Sequence, residues 1–495
     1  MNNCPFRFPV RFPARFKIEK VFWALSSLKL AVLVILALAA CLAAATILES
    51  VYDTPTAQYW VYRSFGFHLL LFTLGVNILC VAISRYPWKK KHIPFLLAHF
   101  GILILLWGSW MTDRSGVDGS LRISEGETAS VVELDQAYLV ISDQQKVHSI
   151  LIPWIPPMVA FQPILLKDFG IPIDLKIDRF LSHGESEVSF VSQGIPQGTS
   201  PTSHAQTLVP KVPAIRFKVV GGPMAISQEF WLWDGSPEWR SIQAGPAHFS
   251  LSGSDSPIQK SKSASPSLVF RAQKDGSLAF VAQSSDGKQV KGGFKTGQIQ
   301  NQLIHPLIHP GWKGNITITV LEWITDAIPR SSYQSSRVQY GTQAPPSAIH
   351  VMPAGSEGVW LGLGDRAVLN LGSQEVEVGY FPKRIVLPFS LRLERFTVEH
   401  DPGTLSPASY ASEVTVLGNA PLGAQIGTQK ISMNEPLAVG GFTVYQASYE
   451  DADPRPVTSI FSVNRDPGRI WKYLGSLLIV LGSIFLFIAK ARKKL

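Results

Sequence analysis

Residues 28–47 read LKLAVLVILALAACLAAATI, an apolar run whose one charged residue stands near its start. A helix that crosses a bilayer core needs about 20 mostly apolar residues. Three later runs meet the same requirement, at 66–84 (GFHLLLFTLGVNILCVAIS), 93–111 (IPFLLAHFGILILLWGSWM) and 470–489 (IWKYLGSLLIVLGSIFLFIA). The sequence therefore predicts four transmembrane helices, the first at 25–47. That first run exceeds the length typical of a signal peptide, which favours an uncleaved anchor.

Three basic clusters predict the orientation of these helices. They precede the first run, fill residues 85–92 and follow the fourth run. Lys and Arg in short loops favour the cytoplasmic side, and four spans place all three clusters on one side. We therefore expect cytoplasmic segments at 1–24, 85–92 and 490–495, an outer loop at 48–65 and an extracytoplasmic domain at 112–469. Both termini are then expected to be cytoplasmic.

The composition agrees with a membrane protein. Charged residues make up 16% of the 495-residue chain, whereas soluble proteins carry about 25%. The formal net charge is +9, but the excess lies beside the apolar runs, which indicates topology rather than a nucleic-acid partner.

The segment 112–469 is predicted to form an all-β domain of sandwich or barrel type. Short runs of alternating apolar and polar residues, which are typical of strands, are separated there by clusters of Gly, Pro and Ser. Examples of such runs are 214–220, 375–380 and 442–447. By composition, 193–210, 252–267 with 283–298, and 331–347 resemble mobile loops.

One ten-residue pattern occurs twice in this domain. Residues 171–180 read IPIDLKIDRF and residues 387–396 read LPFSLRLERF. Two interpretations stay open, namely two strands with common β chemistry or two similar β-subdomains.

Catalytic signatures are absent from the sequence. It has no Walker A loop, GxSxG elbow, HExxH or CxxC, which argues against a nucleotide-driven pump, a zinc hydrolase or a dithiol oxidoreductase. Its three cysteines are Cys4, Cys41 and Cys80, so the outer segment contains no thiol.

Two histidines lie inside the apolar runs. His99 stands about 9 Å inside the third span, and His68 stands near the outer end of the second. A polar residue in lipid is often functional, and a neutral imidazole suits a haem iron or another metal. The alternative for each is a hydrogen bond between helices. Outside the spans, His305 and His309 (IHPLIHP) read as loop residues, because prolines argue against a helix there.

The layout and several segments resemble the ResB (CcsB) family, whose members have three N-terminal spans, a large outer domain and one C-terminal span. The relevant segments are His99–Ile102, 119–128 (GSLRISEGET), 387–399 (LPFSLRLERFTVE), 434–437 and 441–449 (GFTVYQASY), and 466–468. The resemblance covers roughly the first 130 and the last 110 residues.

The resemblance implies a role in System II cytochrome c biogenesis and a location in the bacterial inner (cytoplasmic) membrane. A CcsA/ResC-type membrane protein would be the partner, and together the two would carry haem b to the outer face and support its thioether attachment to apocytochrome c. The chain would then be part of a holocytochrome c synthase complex, binding haem b transiently and sharing it with the partner. A thioredoxin-like thiol reductant is a further expected partner.

The resemblance also implies a role for His99, which occupies the position of the family's haem-ligand histidine, with His68 as the weaker candidate. Arg63, Arg114 and Arg122 lie near the outer interface and are candidates for pairing with the haem propionates. No catalytic residue or resident metal site is predicted. The alternative function is a non-catalytic envelope scaffold or sensor whose outer domain binds a protein; a transporter ranks behind both.

Overall fold

The computed structural model describes most of the chain. The described ranges are 15–142, 146–171, 173–192, 212–221, 226–253, 265–295, 306–312, 315–338, 344–354, 358–371, 374–401, 403, 407–418, 425–450 and 457–491. The predicted mobile loop 193–210, residue His305 and parts of the other predicted loops lie outside these ranges. The chain folds into two compact units, one formed by Met1–Ala137, Pro153–Pro156 and Pro382–Leu495, the other by Tyr138–Ile152 and Pro157–Phe381.

Seven α-helices occur in the described ranges. They are α1 (Arg15–Leu25), α2 (Leu28–Val51), α3 (Thr54–Ala57), α4 (Phe65–Ser84), α5 (Ile93–Ser115), α6 (Pro237–Arg240) and α7 (Arg469–Ala491). Short helical turns of other types cover Gln58–Tyr62, Lys90–His92 and Leu166–Phe169. Four helical segments are long and apolar enough to cross a membrane, namely Leu28–Val51, Phe65–Ser84, Lys90–Ser115 and Arg469–Ala491.

Polar side chains fix where the long helices begin. The hydroxyl of Ser27 accepts a hydrogen bond from the backbone of Leu30, and Ser64 does the same for Phe67, at 3.2 Å each. Such caps satisfy backbone N–H groups that a helix leaves open at its start. Helix α1 occupies the second half of the predicted N-terminal segment and ends one residue beyond it, and α3 lies within the predicted outer loop.

The rest of the described chain is rich in β-structure. Its strands are β1 (Val117–Ser124), β2 (Thr128–Ser142), β3 (Val147–Ile152), β4 (Ile164–Leu165), β5 (Leu175–Leu181), β6 (Gly184–Ser192), β7 (Val212–Gly221), β8 (Ile226–Trp233), β9 (Ser241–Ala244), β10 (Ala247–Ser252), β11 (Ser267–Ala272), β12 (Leu278–Gln283), β13 (Gln289–Phe294), β14 (Leu307–Ile308), β15 (Thr317–Ser335), β16 (Ala348–Pro353), β17 (Val359–Gly362), β18 (Arg366–Leu371), β19 (Gln374–His400), β20 (Pro407–Gly418), β21 (Gln425–Ser432), β22 (Leu437–Val439), β23 (Phe442–Glu450) and β24 (Thr458–Arg465). The combination of apolar helices with a large β-rich domain confirms the predicted fold class in that respect.

The first unit contains a sheet that curls round on itself. Its strands follow the order β21-β20-β19-β2-β1-β24-β23-β22, and β21 also contacts β23. Alternate residues point inward and form a core that includes Leu121, Phe389, Val414 and Phe461. Burying such side chains contributes about 1.5–3 kcal/mol each. This part of the fold is therefore barrel-like.

The second unit contains three smaller sheets. Their orders are β13-β12-β11-β10-β9, β14-β15-β7-β8 with β6 beside β15, and β17-β16-β5-β4. The first two enclose an aromatic core built around Phe217, Phe249 and Phe270, which is a sandwich. One strand pair, β10 and β11, is parallel, so the architecture is not antiparallel throughout. The predicted loop 283–298 instead contains β13, and residues 331–335 complete β15.

The repeated sequence pattern has a structural counterpart. In β5, Asp178 stands at a β-bulge opposite β16, and in β19, Glu394 stands at a β-bulge opposite β20. The sheet orders β5-β16-β17 and β19-β20-β21 correspond. Because a bulge interrupts pairing at one defined residue, its recurrence at the same place supports two similar β-subdomains.

Candidate functional site

His99 lies on α5, one turn after Phe95, and is half-buried. Its Nδ1 is 2.9 Å from the carbonyl oxygen of Phe95. A carbonyl oxygen only accepts hydrogen bonds, so the proton of a neutral His99 is held on Nδ1. The lone pair then lies on Nε2, the nitrogen directed away from the helix backbone, which is the form in which histidine binds a metal.

A second aromatic ring and a guanidinium lie beside this imidazole. The ring centroids of Phe95 and His99 are 3.7 Å apart. The guanidinium carbon of Arg85, the residue after α4, is 3.5 Å from the centroid of the same phenyl ring. Since both neighbours contact one ring, the guanidinium and the imidazole are at most about 7 Å apart. Sequence reasoning assigned Arg85 only to the basic loop.

His99 lies on the side of α5 that approaches α4. Leu103, one helical turn further on, and Leu106 are the nearest neighbours of a methyl group built on Gly75 of α4, at 4.0 and 3.7 Å. Residues four apart lie on one helix face, so His99 and Leu103 share this side. Helix α7 packs against another face of α5, the one that carries Gly101.

The contact between α5 and α7 is made by glycines. Gly101 and Gly108 on α5 face Gly468, Gly475 and Gly482 at the start of and along α7, and an added Cβ at any of these positions would collide with backbone atoms of the other segment. Their spacing of seven residues matches two turns of a helix. This spacing is visible in the sequence, but the sequence does not say which two helices pair through it.

A polar joint continues this contact beyond the end of α5. Asp466 accepts hydrogen bonds from Thr112 at 2.5 Å and from the backbone of Gly468 at 3.0 Å, and it pairs with Lys472 at 2.6 Å. Burial by itself would raise the pKa of Asp466, but the hydrogen bonds from Lys472 and Thr112 outweigh it, so the pKa lies below its usual range. The carboxylate thereby links the end of β24 to both helices.

His68 lies at the opposite end of the bundle from His99. Its Nδ1 is 2.9 Å from the carbonyl oxygen of Ser64, and its Nε2 is 3.6 Å from the carboxylate of Asp113. Asp113 follows His99 by 14 residues on α5, a rise of about 21 Å. The two histidines are therefore too far apart to bind the same iron.

The three predicted propionate arginines are also distant from His99. Arg63 and Arg114 are exposed and lie at the His68 end of the bundle. Arg122 lies in β1, where it donates a hydrogen bond to Glu450 at 2.7 Å. The structure brings none of the three to the imidazole of His99.

The second unit contains a polar pair that sequence reasoning missed. Nδ1 of His350 is 2.6 Å from the carboxylate of Asp178, the bulge residue of β5. Both side chains are largely buried, at 9% and 16% exposure. Asp178 and His350 are 172 residues apart, so only the fold brings them together, and the pair ties β5 to β16.

The donor set around His99 fits a haem better than a bare metal ion. Within the described ranges no group of three or more His, Cys, Asp or Glu residues could hold a metal. A bare ion needs several protein ligands, whereas a porphyrin supplies four nitrogens and leaves one or two axial positions for the protein. One imidazole with its Nε2 lone pair available is sufficient for that role.

Comparison with known proteins agrees with the resemblance. The model of the ResB-like family matches residues 348–459, which run from β16 into β24. The match thus begins before residue 387, where the recognisable C-terminal segment was expected to start. Protein NrfI of Wolinella succinogenes is 37% identical over 120 residues, which are 24% of this chain and 13% of that protein. The chain therefore spans only a small part of that relative. These matches confirm the resemblance to the ResB-like family that was read from the sequence, over the segments that they cover.

Proposed function

We propose that the chain is a membrane subunit of System II cytochrome c biogenesis, which carries haem b to the outer face together with a CcsA/ResC-type partner. It would support thioether attachment of the haem to apocytochrome c within a holocytochrome c synthase complex. The observation that carries the proposal is His99, a half-buried histidine with its Nε2 free to ligate, on a membrane-length helix of a ResB-like chain.

The proposed orientation places the Arg85 end of the bundle at the cytoplasmic face of the bacterial inner membrane. Both termini would then be cytoplasmic, and the β-rich domain extracytoplasmic. In this orientation His99 is near the side from which haem arrives, and His68 is near the outer surface.

In this mechanism the role of His99 would be to bind the haem and to orient it. The hydrogen bond to the Phe95 carbonyl holds the ring and keeps the proton on Nδ1, so that Nε2 would be available to the haem iron. His99 would be the only residue of this chain that holds the iron, and the partner protein would contribute the remaining protein contacts. A haem held there would supply the vinyl groups to which the thiols of the apocytochrome are to be joined.

The chain itself offers no competing thiol in its outer domain. No cysteine follows Cys80, and Cys41 and Cys80 lie in helices α2 and α4. Without a thiol the domain cannot form mixed disulfides with an apocytochrome or with a thioredoxin-like reductant. This supports a role as a platform for thiol-bearing clients.

The proposal is tested in a strain that lacks the chain and is complemented with variants. His99→Ala should strongly lower covalently bound haem in c-type cytochromes and the haem absorbance of the chain purified with its partner. His68→Ala, which removes the weaker candidate, should lower them less. Membrane levels of each variant are measured by immunoblot.

Two outcomes would contradict the proposal. If cytochrome levels stay normal with His99→Ala present at the wild-type amount, the ligand role is wrong. If the deletion strain makes normal c-type cytochromes and the purified complex shows no haem absorbance, the scaffold or sensor function is the better account.

A further inference from the structure

Arg85 has an environment that the assigned roles do not explain. It follows the last residue of α4, its side chain is exposed, and its guanidinium packs over the ring of Phe95 at 3.5 Å. Among the described residues no carboxylate forms an ion pair with it. A guanidinium in this state keeps its N–H donors available for an external anion.

The position of Arg85 relative to His99 is set by the fold. The phenyl ring of Phe95 is 8% exposed and contacts both the imidazole and the guanidinium. The cation is thus held within about 7 Å of the imidazole, because both groups pack against the same ring. A ligand bound through its centre to Nε2 would bring its edge close to the guanidinium.

His99 and Arg85 lie at different depths along the helices. His99 lies about 9 Å into α5, whereas Arg85 stands where α4 ends and the basic loop begins. A planar ligand could therefore keep its apolar part among the helices and its charged edge at the water boundary. Arg63 and Arg114 cannot serve the same ligand, since Arg114 lies 15 residues along α5 from His99, about 22 Å.

We propose that Arg85 binds the carboxylates of a planar, amphiphilic ligand whose centre is held by His99, with Phe95 positioning both side chains. This inference rests on the proposed function, because it takes the ligand to be haem and the carboxylates to be its propionates. It replaces Arg63, Arg114 and Arg122 as the charge partners of haem at this site. A guanidinium can contact a carboxylate through two parallel hydrogen bonds, which a lysine cannot reproduce.

The experiment compares haem with haem dimethyl ester, in which both propionates are neutral. The full-length chain, alone and with its partner, is reconstituted in lipid nanodiscs and titrated with each compound while the Soret band is recorded. Arg85→Gln should weaken haem binding about 10- to 100-fold and leave binding of the ester within about twofold. Arg85→Lys should give an intermediate loss, because charge is kept and the bidentate geometry is lost.

Two controls separate this contact from general effects. Lys91→Gln removes one positive charge from the same loop and should change the affinity for haem much less than Arg85→Gln does. Arg114→Gln tests the opposite end of the bundle and should leave both titrations unchanged. Helical content and unfolding midpoint show whether each variant is folded.

The outcomes test the contact of Arg85 with the propionates separately from the role of His99 as the haem ligand. If Arg85→Gln weakens haem and its ester equally, or weakens neither, the propionate contact is refuted while His99 can still be the ligand. The inference also fails if Arg114→Gln causes the loss specific to haem. If His99→Ala leaves the Soret band of the bound haem and its affinity unchanged, the proposed function fails with it.

Discussion

The glycine contact between α5 and α7 gives the sharpest test of the fold. We predict that Gly101→Ala and Gly475→Ala each destabilise the protein, because each adds a methyl group where the two helices touch. At residue 475 that methyl carbon would lie 2.6 Å from the carbonyl oxygen of Gly101 and 2.7 Å from the backbone nitrogen of Leu105. At residue 101 it would lie 2.7 Å from the carbonyl oxygen of Gly475.

The magnitude follows from these distances. Ordinary van der Waals contact begins at 3.4 Å, so the neighbouring backbone must withdraw by about 0.7–0.8 Å at each site. Backbone cannot move away as the tip of a side chain can, and overpacking of this kind costs about 1–3 kcal/mol. We therefore expect each variant to lose that much free energy of unfolding, and the double variant to lose less than the sum, since both changes separate the same helices.

Two glycines of α4 provide matched controls. A methyl group at Gly66 would meet nothing within 4 Å, and one at Gly75 would reach its nearest neighbour, Leu106, at 3.7 Å. Alanine is favoured over glycine inside a helix by up to about 1 kcal/mol. Gly66→Ala and Gly75→Ala should therefore be neutral or slightly stabilising.

The assay is reversible unfolding of the purified full-length chain in mixed micelles, driven by increasing SDS and followed by circular dichroism. The midpoints of Gly101→Ala and Gly475→Ala should fall clearly below those of the wild type and of both controls. The account of the helix contact is refuted if all four variants have the same midpoint.

Three further predictions follow from polar contacts of the fold. Asp466→Asn should lower the free energy of unfolding by about 1–3 kcal/mol, because it removes the ion pair with Lys472. The pKa of Asp466 is depressed in the folded protein, so the stability that its carboxylate contributes is present above the unfolded-state pKa and is lost as the pH falls through the folded-state pKa. The free energy of unfolding should therefore change less with acid pH in the variant than in the wild type. His350→Leu should lower the free energy of unfolding by about 3 kcal/mol or more, because the largely buried carboxylate of Asp178 loses its partner at 2.6 Å. The double variant with Asp178→Leu should regain part of that stability. Thermal melts in which the double variant is no more stable than His350→Leu would contradict the pairing. Burial raises the pKa of Tyr380 to about 12, so the stability of the second unit should decline as pH rises from about 10, the unfolded-state value, and Tyr380→Phe should remove that decline.

The local elements of this protein were predictable because their signals are local. Apolar runs of bilayer length located the helices, and the observed α4, Phe65–Ser84, differs from the predicted span 66–84 by one residue. Alternation predicted strands such as β7 and β23. The paired decamers left two interpretations open, and both decamers extend into strands, β5 and β19. His99 was recognisable because a polar side chain in lipid has an unfavourable free energy, so it usually has a functional role or a hydrogen-bond partner.

The prediction of loops was wrong where it relied on amino-acid composition alone, because composition does not show which strands pair. Residues 283–298 looked like a loop because they are rich in Gly, Gln and Ser, yet β13 forms there through its register with β12. A strand can be built from such residues when a neighbour supplies the hydrogen bonds, which is why strand propensity depends on context.

The sequence alone determined that long apolar helices accompany a β-rich domain, and it singled out His99, because hydropathy, period and isolated polar groups are properties of consecutive residues. Only the tertiary structure decided which distant residues meet. The glycines of α5 and α7, the pair of Asp178 with His350, and the placement of Arg85 rather than Arg114 beside the candidate site all depend on helix and strand packing. One sequence carries no record of such pairings, since each side chain is compatible with many partners until the backbone fixes their distance.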